Sequence, residues 1–149
     1  ALLAALERVP DELERVLGEQ AGLERLALRL THAESLYVLG RGLSFSPAQE
    51  VALKLKETSY LHAQAYSSAE FQHGPIAAVG PSEPVLLLAL ADASLESNLK
   101  VARRLRELGA DLSVAASAPE LLALAQAQLA LPAGLHPVTE AFSLVIAGQ

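Results

Sequence analysis

An α/β fold, a parallel sheet covered by helices on both faces, is predicted by three features of the sequence. Short apolar runs alternate with segments of helical spacing, glycine and proline punctuate the junctions, and 52% hydrophobic against 19% charged residues in a 149-residue chain fill the core of one domain. The run Pro84-Val85-Leu86-Leu87-Leu88-Ala89-Leu90-Ala91 shows no polar alternation, as a strand buried on both faces requires. It is far shorter than the ~20 residues of a membrane-spanning helix, so no membrane partner is expected.

The elements follow in chain order. The first third reads as helix: Pro10 suits a first turn, and Leu13, Val16, Leu17, Leu23, Leu26 and Leu30 recur at three- and four-residue steps, with Gly18 and Gly22 weakening the middle. Residues 1–34 are therefore expected as a helical segment packing on a domain at 35–149. Ser35 to Leu39 is a strand that stops at Gly40-Arg41-Gly42, and Ser44 to Tyr60 resumes helical spacing. Pro84 to Leu90 is a second strand, leading through Asp92-Ala93-Ser94 into a helix that ends at Gly109. Leu112 to Ala116 and Leu129 to Leu131 are two more strands, and Pro137 to Ala147 opens a last helix. Sheets of this kind bind ligands at the carboxyl ends of their strands.

Charge and composition exclude several functions. Eleven Lys and Arg against 17 Asp and Glu leave a net charge of 11 − 17 = −6, so the clustered cations that a nucleic acid or anionic membrane requires are missing, and neither is expected as a partner. With no Cys there is no disulfide framework, zinc-thiolate site or cysteine nucleophile, and a cytoplasmic location is the expectation. Met is absent even at position 1, so the chain is expected to be processed or to be a piece of something longer.

Two places invite chemistry. The loop Gly40-Arg41-Gly42-Leu43-Ser44-Phe45-Ser46-Pro47 follows a strand and opens a helix, where free N–H groups and hydroxyls suit an anion; Gly42, Ser44 and Ser46 are its candidate binding residues. The competing reading is a tight turn with Ser44 or Ser46 as N-cap. Further on, steps of four and three put Glu50, Lys54 and Glu57 in one row on a helix. Such a row is either a surface ladder of ion pairs or a proton-transfer set. The following stretch, Ser59 to Pro75, is dense in hydroxyl and titratable groups, and His73 stands on a Gly-Pro turn where an imidazole can shuttle protons near neutral pH. His32 and His136 read as structural. His62 and His73, eleven apart, lack a companion at ligand spacing, so no metal is expected.

Leu39-Gly40-Arg41-Gly42, Ala52-Leu53-Lys54-Leu55-Lys56-Glu57-Thr58-Ser59-Tyr60 and Glu70-Phe71-Gln72-His73-Gly74-Pro75 together resemble the sugar isomerase (SIS) domains. The likeness is specifically to the second such domain in the isomerase half of glucosamine-6-phosphate synthase and its stand-alone relatives. The resemblance implies a three-layer αβα sandwich on a five-stranded parallel sheet, flavodoxin-like. It implies hexose 6-phosphate substrates such as fructose 6-phosphate and glucosamine 6-phosphate, ring opening, and proton transfer between C1 and C2, without cofactor or metal. By position, Glu57 matches the family's general base, Lys54 the lysine near the developing enediolate, Glu50 a supporting carboxylate, and His73 the histidine that opens the ring in the partner subunit's site. A homodimer is therefore implied. A base of this kind works best when burial raises its pKa toward the working pH.

The sequence also departs from that pattern. The 39 residues before Gly40 are too few for a first SIS domain with its Ser/Thr-rich phosphate loop, and the chain stops at Gln149 before the family's C-terminal lysine, so that tail is expected to be missing. Gln64 stands where the synthase usually has Glu, and Phe71-Gln72 replaces Leu-Lys, a spelling nearer to stand-alone deaminases and deglycases. The expectation is thus an amino-sugar-phosphate isomerase or deaminase domain, inactive as an isolated piece. A non-catalytic sugar-phosphate sensor is the alternative.

Overall fold

A computed structural model describes residues 2–148. Its centre is a five-stranded, wholly parallel sheet, β1 (Ser35–Gly40), β2 (His62–Ser67), β3 (Pro84–Ala89), β4 (Asp111–Ala116) and β5 (Ala127–Ala130), in the order β2-β1-β3-β4-β5. The order reverses between β1 and β3, so the connections after these two strands leave on opposite faces and open a crevice at their carboxyl ends.

Each strand feeds both layers because successive side chains alternate. Leu36 and Val38 of β1 join one core with Leu86 and Leu88 of β3, while Leu39 joins the other with Val85 and Leu87. The first core is covered by α2 (Val9–Gly18), α3 (Gln20–Leu30), α4 (Phe45–Ser59) and α8 (Pro137–Ala147), whose Val16, Val51, Ala52 and Leu144 are almost wholly buried. The second lies under α5 (Ser68–Phe71), α6 (Leu95–Glu107) and α7 (Pro119–Leu122), with Phe71, Leu105 and Leu121 inside. At about 1.5–3 kcal/mol for each fully buried aliphatic or aromatic side chain, these two cores supply the main driving force of folding. The sandwich expected from the resemblance is present.

The helical first third is three helices, not one. A short α1 (Leu2–Leu6) precedes α2, and the chain breaks at Glu19, immediately after Gly18. Gly22, which the periodicity reads as a weak point, lies inside α3 for a packing reason: a Cβ there would stand 2.9 Å from Leu129 Cδ1 of β5. Arg29 at the end of α3 then clasps Asp111 at the start of β4, with Nε and an Nη 2.7 and 2.6 Å from the same carboxylate oxygen. The segment before residue 35 thus shares the domain's core.

The strand that the sequence hides is β2. His62-Ala63-Gln64-Ala65-Tyr66-Ser67 contains no Val, Ile or Leu. It is an edge strand that pairs only with β1, with small Ala63 buried and His62 and Gln64 exposed. Edge position explains its polarity, since a long apolar edge is an aggregation template. Among the described residues no helix is long and apolar enough to cross a membrane.

Candidate active site

The row on α4 is as the helical spacing requires. Pro47, Ala48, Val51 and Ala52 face the sheet, which leaves Glu50, Lys54 and Glu57 along the flank. Lys54 Nζ lies 2.9 Å from Glu57 Oε2 and 3.9 Å from Glu50 Oε1. The hydrogen bond and charge of Glu57, with a smaller contribution from Glu50, hold the lysine pKa above its ordinary value, so Lys54 stays an ammonium. Among the described residues nothing buries the row: the side chain of Glu57 is 52% exposed. Thr58 Oγ1 donates to the Lys54 carbonyl at 2.8 Å and closes the last turn.

His73 is positioned by a different set of contacts. Phe71, fully buried, packs on Tyr37 and Tyr66 with ring centroids 5.1 and 5.6 Å away and pins α5 against the sheet. Ser68 Oγ donates to Asn98 Oδ1 of α6 at 2.8 Å, and the Gln72 amide donates to the Ser68 carbonyl at 3.3 Å. The His73 amide N–H donates to the Glu70 carbonyl at 3.0 Å, and the imidazole is left exposed ahead of Gly74-Pro75. Its segment packs on the face of the sheet opposite α4. Glu57 and His73 are therefore not brought together within one chain.

The glycine loop belongs to neither. Gly40 is dictated by contact, because a Cβ there would sit 2.4 Å from the Ser44 carbonyl oxygen, and Gly42 turns the chain with φ +60. Ser44 is fully buried, and its hydroxyl accepts from the Arg41 N–H at 2.9 Å and donates to the Arg41 carbonyl at 3.0 Å. The hydroxyl expected to meet an anion is consumed in folding its own loop, and neither Ser44 nor Ser46 caps α4 through its side chain. Ser46 is exposed, but beside an apolar groove lined by Leu43, Pro47, Val138, Ala141, Phe142 and Val145. Eleven residues at ~1.5 Å rise separate Ser46 from Glu57, roughly 16 Å along α4, too far for one hexose phosphate to touch both.

A polar network at the carboxyl ends of β3 and β4 was not legible as a site. Asp92 Oδ1 accepts from the Ser94 amide and hydroxyl at 2.7 and 2.6 Å, and Asn98 Nδ2 donates to Ser94 Oγ at 3.2 Å, continuing the chain to Ser68. Glu140 of α8, 2% exposed, accepts a hydrogen bond from the Ser117 hydroxyl and lies near the Ala91 amide. Burial raises its pKa against the pull of those donors, and the nearby Asp92 charge adds to the rise. The only sequence signal was Asp-x-Ser ahead of a helix, which reads as a cap. His136 is structural as expected: its Nδ1 accepts from the Val138 amide at 3.3 Å and caps α8. His62 opens β2 on the exposed face.

Comparison with known proteins places these features in a family. A model described as the SIS domain matches residues 29–144. Over 146 residues the chain is 33% identical to glutamine-fructose-6-phosphate aminotransferase [isomerizing] of Aquifex aeolicus (strain VF5), covering 97% of this chain and 25% of that protein. The protein of the same name from Treponema pallidum (strain Nichols) is 47% identical over 91 residues, 61% of this chain and 14% of that one. Among solved structures, the C-terminal domain of glucosamine-fructose-6-phosphate aminotransferase from Francisella tularensis has a TM-score of 0.84 at 28% identity, covering 96% of this chain and 41% of that chain. The chain thus spans a quarter or less of the length of these curated relatives.

Proposed function

This chain belongs to the SIS domain family, and we propose that it supplies the proton-transfer residues of a phosphosugar isomerase or deaminase acting on hexose 6-phosphates. The observation that carries the reading is the Glu50-Lys54-Glu57 row, held in register by ion pairs on one flank of α4. In an open-chain sugar, Glu57 takes the proton from the carbon beside the carbonyl and returns it to the neighbouring carbon. The Lys54 ammonium stabilises the negative oxygen of the enediolate between these steps. Glu50 holds the lysine from the other side. The step is redox-neutral: one proton passes from carbon to carbon by way of Glu57 while the hydroxyl proton passes between the two oxygens. With an amino sugar, water then hydrolyses the imine carbon so that ammonia leaves.

Ring opening falls to His73, which in its neutral and protonated forms relays a proton between the anomeric hydroxyl and the ring oxygen. Because the segment that carries His73 packs on the sheet face opposite α4, this reading takes the histidine serving a given Glu57 from a second copy and so requires a homodimer. The phosphate is gripped outside the Ser44 loop, whose hydroxyl is already paired.

The test uses the protein at its full natural length, assayed for fructose 6-phosphate isomerisation and for ammonia release from glucosamine 6-phosphate. Turnover that survives Glu57→Gln overturns the reading. The exposure of Glu57 favours a second one, a sugar-phosphate-binding module without catalysis; thermal stabilisation by a hexose 6-phosphate with no turnover selects it.

A further inference from the structure

Asn98 of α6 is wholly buried, and the directions of its hydrogen bonds are dictated from one end. The Asp92 carboxylate can only accept, so its Oδ1 takes the Ser94 hydroxyl proton at 2.6 Å. Ser94 Oγ, its proton spent, can then only accept, and it receives Asn98 Nδ2 at 3.2 Å. That turns Asn98 Oδ1 toward Ser68, also wholly buried, whose hydroxyl donates to it at 2.8 Å. No link reverses on its own, so the amide has one orientation. A buried polar pair adds little net stability over an apolar pair of the same shape; what it adds is direction. The proposed chemistry leaves this network without a task.

The element it directs carries His73. Helix α5 begins at Ser68, and bonds within the segment fasten His73 to it: Gln72 Nε2 donates to the Ser68 carbonyl at 3.3 Å, and the His73 N–H to the Glu70 carbonyl at 3.0 Å. Among the described residues, Ser68 to Asn98 is the one side-chain hydrogen bond that ties residues 68–79 to another element. The other anchors, Phe71, Ile76 and Val79, are apolar and pack into the core. Apolar burial is non-directional, so it fixes the depth of the segment more firmly than its rotation. We infer that Asn98 is a positioning residue for His73: held by Asp92 and Ser94, it sets through Ser68 the rotation of α5, and with it the direction from which the imidazole meets the sugar. The inference rests on the reading of His73 as the ring-opening histidine.

Ring opening can be read apart from proton transfer, because it alone interconverts the α and β anomers of the sugar. The experiment follows that exchange in glucosamine 6-phosphate by NMR magnetisation transfer, before turnover consumes it, with the protein at its full natural length. Asn98→Leu combined with Ser68→Ala removes both polar partners at similar shape, and Ser94 keeps Asp92, so no buried group is orphaned. Tm is expected to stay within about 4 °C of the parent and the Kd for the sugar phosphate within about twofold, while catalysed exchange falls roughly tenfold. Ser68→Ala alone, which removes one oxygen, shows the same selective loss and decides the case should the paired variant not fold. Exchange at the parental rate overturns the inference. So does a loss that tracks Tm, which makes the pair a support of the fold, or one that tracks Kd, which makes it a support of the sugar pocket. His73→Ala supplies the separate check: if it exchanges as fast as the parent, or the parent catalyses no exchange, the histidine reading has failed and takes the inference with it.

Discussion

Lys54 and Glu57 are joined across one turn of α4 at 2.9 Å, whereas Glu50 on the far side of the lysine stands off at 3.9 Å. The asymmetry matters chemically. The ammonium is held beside the carboxylate proposed as the base, so on that reading base and charge stabiliser meet a substrate as a unit. Because all three side chains are at least one-third exposed, the pairing contributes little to folding.

Glu57→Gln separates these two roles. The amide keeps shape and one hydrogen-bond acceptor for Lys54 but cannot take a proton. In the protein at its full natural length, isomerisation is expected to fall by at least ~10²-fold. Thermal unfolding should move by less than about 2 °C, as for an exposed ion pair. A large loss of Tm alongside the loss of rate would mean that the residue works by holding the helix.

The separation of Glu57 from His73 by the sheet gives a subunit-mixing test. Glu57→Gln and His73→Ala are each expected to be inactive alone. A mixed dimer carries one site with both mutations and one with neither, so equal mixing with random exchange regains roughly a quarter of the parental activity. Mixtures that stay inactive after demonstrated exchange would place both residues of each site in the same chain.

Much of this was legible in the sequence, and the exceptions have physical causes. β1, β3 and β4 announce themselves because central parallel strands are apolar on both faces, and α4 because its sheet-facing residues recur at helical steps. β2 escapes since an edge strand must be polar, and nothing in Ala63-Gln64-Ala65 differs locally from a loop. The Glu50-Lys54-Glu57 row is local to one helix, so spacing alone finds it. Glu140 meeting Ser117 joins residues 23 apart, a contact only the assembled sheet creates. Ser44 is the instructive case: the sequence places a hydroxyl at the right loop, and only the fold reveals that the loop uses it.

Glu140 predicts how stability varies with pH. Its folded-state pKa is raised by burial, so the protonated carboxyl is the form the fold favours. That contribution is complete below the ordinary glutamate range and is lost as pH rises through the folded-state value. Glu140→Gln removes the titration. Stability relative to this variant, measured by urea unfolding, is therefore expected to be highest near about pH 4 and to decline toward about pH 8. A difference that stays flat across this range would show the carboxyl to be hydrated in the folded protein.

Gly40→Ala tests the close approach that builds the loop after β1. An added Cβ would meet Ser44 O at 2.4 Å, Ser44 C at 2.7 Å and Phe45 Cα at 2.9 Å. All three are backbone atoms, so no rotamer change relieves the clash. The loop must move, and with it the Arg41–Ser44 hydrogen bonds and the first turn of α4. A cost of about 2–4 kcal/mol is expected, read as a lowered urea midpoint with unchanged slope. Gly80→Ala is the matched control: nothing lies within 4 Å of a Cβ there, and its midpoint should stay within the ~0.5 kcal/mol typical of surface substitutions. Equal midpoints for the two variants would mean that β1 and α4 are joined by a looser loop than the one that sets the row on α4.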